Sequence, residues 1–271
     1  MNRNRLCNSI ALLSLLVAGL MCVNPTLGQS ALPVINANGV VEGASFSQRV
    51  AAGGLASIFG SNLATGVFIA GSLPLPTILG GVTVTLNGEP CPLLYVSPGQ
   101  INFQVRWGVL SLSSAALVVT TAAGSSNSYP VALSAVAPGV FIIGSPGKGA
   151  VLISNTGTFA QNFGSIPGAN ARPATAGEYI SIYCSGLGDV TNRPADGAAA
   201  PGGANLAKIK ATIQVGIDAQ FVIPVFAGMA PGFVGLYQVD VQIPPGVQGP
   251  TVPVTVIVNN VFATTVGIAF Q

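Results

Sequence analysis

The chain has 271 residues and not one histidine. That absence excludes Ser-His-Asp and Cys-His catalysis, the common zinc sites and imidazole acid–base work. Charge is scarce too: Asp, Glu, Lys and Arg make up 6% of the residues, nine basic against seven acidic. Two of the basic residues, Arg3 and Arg5, lie in the leading segment, and the rest of the chain is formally neutral. The remaining Lys and Arg are scattered, not striped, so the concentrated positive surface that nucleic acid needs is missing and no nucleic-acid partner is expected. No run beyond the N-terminus approaches the ~18 apolar residues of a membrane span, and none shows a helical apolar stripe.

Apolar and turn-forming residues fill the space that charge leaves. Half the chain is hydrophobic, with 35 Gly and 20 Pro. The apolar content is too high for disorder. Short apolar runs cut by Gly and Pro predict an all-β protein. At the N-terminus, "MNRNR" precedes the apolar run Ile10 to Val23 and the segment "NPTLGQS". This pattern predicts a secretory signal over residues 1–28, cleaved before Gln29, and a secreted or extracytoplasmic location with no transmembrane span in the mature chain. A lipidated Cys22 and an uncleaved anchor are the alternatives, and Met21 before Cys22 speaks against the first.

The mature sequence repeats itself. "AGGLASIFGSNLA" (52–64) aligns without a gap on "AGEYISIYCSGLG" (176–188). "QINFQV" (100–105) aligns on "QVDVQI" (238–243), and "LVVTTAAGSSNSYPVAL" (117–133) on "TVIVNNVFATTVGIAF" (255–270). Three blocks in one order predict two copies of a unit of on the order of 100 residues. Within each copy the apolar residues alternate, and Asn87-Gly88 and Asn259-Asn260 mark two-residue hairpin turns. Short strands with turns every ~8–12 residues predict two tandem immunoglobulin-like β-sandwiches, over 29–136 and 176–271. Residues 137–175 find no counterpart in the first copy and are expected to be a linker with extra strands or a hairpin.

The repeat also decides how "CSGLG" (184–188) is read. Cys184 opens a Gly-rich loop, but its counterpart is Gly60. The position asks for a small residue at the end of a strand. Asn62 and Gly186 follow, both tolerant of left-handed backbone, and Leu63 and Leu187 are expected core plugs.

"GASFSQRVAAGGLASIFGSNLA", "LPTILGGVTVTLNGEPCPLLYVSPGQINFQV", "APGVF", "ISIYCSGLG" and "FAGMAPGFVGLYQVDVQIP" together resemble the Solibacter-type uncharacterised C-terminal domain family. The two corner motifs are similar to the IPT/TIG class of immunoglobulin-like domains. The resemblance covers nearly the whole mature chain. It implies a tandem of immunoglobulin-like sandwiches in a secreted bacterial protein with no established activity. The chain departs from the pattern at Cys91, where a small apolar residue is usual, and at Cys184, where Gly is usual.

Few residues remain as candidates for chemistry. Of the seven carboxylates, Asp189 and Asp196 share the loop "GDVTNRPADG"; this reads as a solvated loop, with a calcium site or a catalytic pair as the sharper alternatives. "SPGK" (145–148) matches a Ser-x-x-Lys pattern, but Pro146 and Gly147 make it a turn. Cys91 and Cys184, one per copy, are a possible disulfide in an oxidising compartment, or two small buried hydrophobes. Trp107 at a strand end and Tyr95 are the candidate sugar-stacking aromatics, with a core or inter-domain plug as the other reading of Trp107. No cofactor is expected. The leading expectation is a non-enzymatic extracellular module for adhesion or cell-surface scaffolding, with a protein or polysaccharide partner. A carbohydrate-binding module comes second, an enzyme third and a small outer-membrane barrel fourth.

Overall fold

A computed structural model describes residues 31–144 and 147–271. The signal expected over 1–28, and Ser145 and Pro146 of the expected turn, lie outside them. Residues 31–271 form one compact unit. The first eleven strands are β1 (Val34–Glu42), β2 (Arg49–Val50), β3 (Leu55–Ser61), β4 (Phe68–Ile69), β5 (Thr83–Leu86), β6 (Glu89–Pro90), β7 (Leu93–Val96), β8 (Gln100–Gln104), β9 (Ser114–Thr121), β10 (Gly124–Ser125) and β11 (Tyr129–Leu133). The next six are β12 (Gly139–Val140), β13 (Val151–Ile153), β14 (Thr158–Ala160), β15 (Ala171–Arg172), β16 (Tyr179–Ser185) and β17 (Ile213–Ile217). The last six are β18 (Gln220–Val222), β19 (Phe226–Met229), β20 (Tyr237–Gln242), β21 (Gly249–Val258), β22 (Val261–Phe262) and β23 (Val266–Phe270).

The first eleven strands make two sheets, β1-β3-β8-β7-β4 and β2-β11-β9-β5-β6, with β10 on β9. Every pair is antiparallel except β2 with β11, where Val50 lies against Leu133. The others make β15-β14-β13-β16-β20-β19, with β12 also on β16, and β18-β17-β21-β22, with β23 on β21. Each pair of sheets is an immunoglobulin-like sandwich. Alternation builds the core: Val84 and Leu86, Val254 and Val256 point inward and are buried, and the buried apolar residues of both sandwiches form one continuous cluster.

Registers superimpose the two copies. Ile58 faces Ile101, and Ile182 faces Val239. The turns form as their residues require: Asn87 and Gly88 have φ of 51° and 83°, Asn259 and Asn260 of 48° and 64°. Asn62 and Gly186 take left-handed φ of 56° and 72°. Leu63 and Leu187 are fully buried, and each such burial contributes ~1.5–3 kcal/mol.

Two expectations are corrected. Residues 137–175 are not without a counterpart. Val140 and Val151 lie against Cys184 and Ile182 as Ile35 and Val40 lie against Gly60 and Ile58. The first strand of the second sandwich is therefore inside this segment, interrupted by residues 141–150 where the first copy has only 36–39. Alternation was hidden because the interruption separates two pieces too short to show a period. In the third block, Leu117 pairs with Leu86 and Val254 with Ile217, both ahead of the matching turn. Leu117 thus corresponds to Val254 and not to Thr255; a one-residue slip would have turned every side chain to the other face.

Candidate functional site

Three of the four candidate binding residues meet, and they meet in the joint between the sandwiches. Trp107 opens a short 3-10 turn, Trp107–Val109, after β8. It is 7% exposed. Its backbone N–H donates to Asp196 Oδ1 at 2.8 Å, and the Arg193 guanidinium lies 5.1 Å from the ring centroid. Burial corrects Trp107 as a sugar platform and agrees with the inter-domain plug. Gly53 packs close to the ring, with φ of 81°, and a Cβ there would lie 2.0 Å from it.

Backbone groups complete the joint. Gln104, fully buried, accepts the Gly197 N–H at 2.7 Å through Oε1 and donates to Gly53 O at 3.4 Å through Nε2. Leu55 N–H donates to Ser185 Oγ at 2.9 Å. Leu75 N–H donates to Gly197 O, and Ala137 N–H to Gly186 O, both at 2.8 Å. Gly54 lets the chains approach, since a Cβ there would lie 2.9 Å from Gly186 N. The two Gln104 bonds are buried, so a missing partner there would leave a costly orphan.

The carboxylates of the 189–196 loop are used up by this architecture. Asp189 accepts from Arg193 and, at 2.8 Å, from Lys210. Burial raises its carboxyl, but the hydrogen bonds from Lys210 and Arg193 outweigh it and hold it below the usual carboxylate range. Asp196 caps the Trp107 N–H and lies 3.6 Å from Arg106 Nε. The two carboxylates have separate cationic partners and do not form a catalytic pair. Among the described residues no group of three metal-ligating side chains exists. Tyr95 takes no part in the joint. It sits half-buried in β7, between Ile69 and Asn102 on the neighbouring strands.

The possible disulfide is also corrected: Cys91 and Cys184 are free and buried. Each fills a small-residue position in the core of its own sandwich. Burial pushes the Cys91 thiol up to about 12, against a smaller opposing pull from Arg106. Burial raises Cys184 likewise, with the Glu42 charge adding to it. Neither thiol is a nucleophile at neutral pH.

Open surface lies elsewhere, in two places that sequence reasoning passed over. Residues 141–143 and 150, β13 and β14 build an apolar groove of about 450 Å³ over the outer face of β16, with Phe141, Leu152, Phe159, Tyr183 and Phe233 among its walls. Phe233 is 56% exposed. Gln238 lies across from Tyr183 on β20 and donates to Asp240 at 2.9 Å. Burial and then the Asp240 charge raise the Tyr183 phenol. A second, more polar cleft of about 630 Å³ runs along the joint, lined by Ser45, Gln48, Arg49, Ser134, Thr264 and the exposed ring of Phe262. The available signal was the outward row of the repeat: where β3 carries Leu55 and Phe59, β16 carries Tyr179 and Tyr183.

No family model matches the sequence, and no curated protein does. Among solved structures, the chain aligns with SGBP-B of the Bacteroides ovatus mixed-linkage glucan utilization locus, solved in complex with a mixed-linkage heptasaccharide, at 14% identity, covering 88% of this chain and 45% of that one, with a TM-score of 0.34. It aligns with the plexin A4 extracellular region at 11% identity and a TM-score of 0.29, over 92% of this chain and 19% of that one, so it spans about a fifth of that region. It aligns with domains 5–6 of the S-layer protein SbsC at 14% identity and a TM-score of 0.26, over 88% and 98%. At these scores the fold assignment rests on the strand pairing itself. No helix among the described residues is long and apolar enough to cross a membrane.

Proposed function

We propose that the protein is an extracellular, non-enzymatic immunoglobulin-like module that holds a protein partner at the cell surface. The observation that carries this reading is the open aromatic groove around Phe141, Tyr183 and Phe233, built on a sheet face that a solitary sandwich would cover with polar residues. The leading segment 1–28 and the resemblance to the Solibacter-type family with its IPT/TIG-like corners support secretion. The residue types left in the described surface support binding over catalysis: the carboxylates of the 189–196 loop are tied into the joint, and the thiols are buried.

A polysaccharide partner is the second reading, and the joint cleft favours it. There Phe262 offers an exposed ring beside Gln48, Arg49 and four hydroxyl side chains, the mix that sugar binding uses. The test is co-sedimentation of the purified protein with envelope fragments of the producing cell, before and after protease treatment of the fragments, and with insoluble polysaccharides. Protease-sensitive binding that Phe233→Asp abolishes and Phe262→Ala leaves intact is the expected result. Binding to one polymer that Phe262→Ala abolishes establishes the second reading and overturns the first.

A further inference from the structure

We infer that the far end of the second sandwich docks the near end of the first sandwich in a second copy of this chain, so that molecules join head to tail. The inference is independent of the groove and rests on the internal repeat.

At the joint, the far end of the first sandwich is covered by the near end of the second. Its Gly53, Leu55, Pro92 and Gln104 touch or bond the covering residues. By strand register the same positions in the second sandwich are Gly177, Tyr179, Ile223 and Gln242. The local architecture is the same. Gln104 donates to Gly53 O, and Gln242 donates to Gly177 O at 3.0 Å. Gly53 N–H donates to Val105 O at 2.7 Å, and Gly177 N–H to Ile243 O at 3.0 Å. Covering is what differs. Pro92 is buried, with the Gly197 backbone against it, whereas Ile223 is 72% exposed. Leu55 is half-buried, whereas Tyr179 is 42% exposed. An apolar hollow of about 430 Å³, lined by Gly177, Val222, Gln242, Pro244 and Pro245, stands open there. Gln242 uses its amide nitrogen as Gln104 does, which leaves its Oε1 as the acceptor that would answer Gly197 N–H in the first copy.

The occupant is specified by what covers the first end. That cover is the near end of a sandwich: Ser185, then a left-handed Gly186, then a loop. The near end of the first sandwich has the same build. Ser61 stands at the place of Ser185, exposed, and left-handed Asn62 at that of Gly186. The following loop exposes Val67 and Phe68. Among the described residues, each molecule therefore carries one open end of each kind, which makes a heterologous contact that propagates without closing. One residue differs in a way that weakens the contact: Glu178 stands where Gly54 lets Gly186 approach, and it is folded back onto Arg172 at 2.7 Å.

Sedimentation velocity of the purified protein across a concentration series tests this. The expected result is a mass that rises with concentration past the dimer. Ile223→Asp in the far end and Val67→Asp in the near end change exposed residues and should leave the far-ultraviolet circular dichroism unchanged, while each weakens polymerisation roughly tenfold or more. An equimolar mixture of the two variants keeps one good end of each kind and should stop at dimers. Phe233→Asp, in the groove, should polymerise like the parent, so failure of the groove reading and of this one are told apart. A parent protein that stays monomeric throughout, a mixture that stays monomeric, or a Val67→Asp variant that dimerises by itself through two far ends would each overturn the inference.

Discussion

Gln104 and Gln242 close the same corner of the same fold, each donating to the carbonyl of a glycine in the turn ahead of β3 or β16. One is fully buried and also holds Gly197; the other is exposed. Gly53 and Gly177 share a left-handed backbone, with φ of 81° and 88°. Beside Gly53 stands the Trp107 ring, while the space around Gly177 is empty. The difference teaches that the repeat specifies the corner, and that burial decides how much each corner residue contributes.

The largest expected effect comes from breaking that contrast at the glycines. Gly53→Ala adds a Cβ that must displace the buried Trp107 ring as well as strain the backbone, and should cost about 3–4 kcal/mol in urea unfolding. Gly177→Ala meets only the backbone term and should cost ~1–2 kcal/mol. Equal losses would mean that the two ends are equally loaded.

Next comes the glutamine pair. Gln104→Ala strands the Gly197 N–H and Gly53 O in a dry joint and should cost roughly 2–3 kcal/mol, against roughly 0.5–1 for Gln242→Ala. Alkaline pH probes the core of the first sandwich. The Cys91 thiol ionises near 9.0 when unfolded and about 12 when folded. A raised folded pKa means stability that is whole below pH 9 and lost as pH rises toward 12, at up to about 1.4 kcal/mol per pH unit. Cys91→Ala should remove its own share of that decline and leave the share of the buried Cys184 thiol. Glu178→Gly sharpens the comparison from the other side, because it gives the second sandwich the glycine that the first has at position 54; self-association should strengthen. The smallest effect belongs to Lys210→Met. Its exposed pair with Asp189 is solvent-screened, and the loss should stay within ~0.5 kcal/mol while Arg193 remains over Trp107.

Much of the fold was legible because it is written in short-range terms. Strand alternation and Asn-Gly and Asn-Asn turns act over a few residues, and the two-copy alignment placed Leu63 with Leu187 and Ser61 with Ser185 correctly. The first strand of the second sandwich escaped, since residues 141–150 interrupt it and leave too little alternation on either side. The candidate site was legible only as a gathering. Trp107, Asp189 and Asp196 do come together, and of the two readings of Trp107 the inter-domain plug is the one found; the sequence left both open because its cover, Arg193 and Asp196, comes from a loop in the other copy.

What the sequence by itself determined is the strand pattern, the turns, the doubling of the unit and the absence of histidine chemistry, all of them properties of neighbouring residues or of composition. Only the tertiary structure decided which surfaces are covered. Trp107 is buried and Phe233 open, Gly53 is clamped and Gly177 free, because burial depends on contacts between residues far apart in the chain, and no local preference of the backbone encodes them.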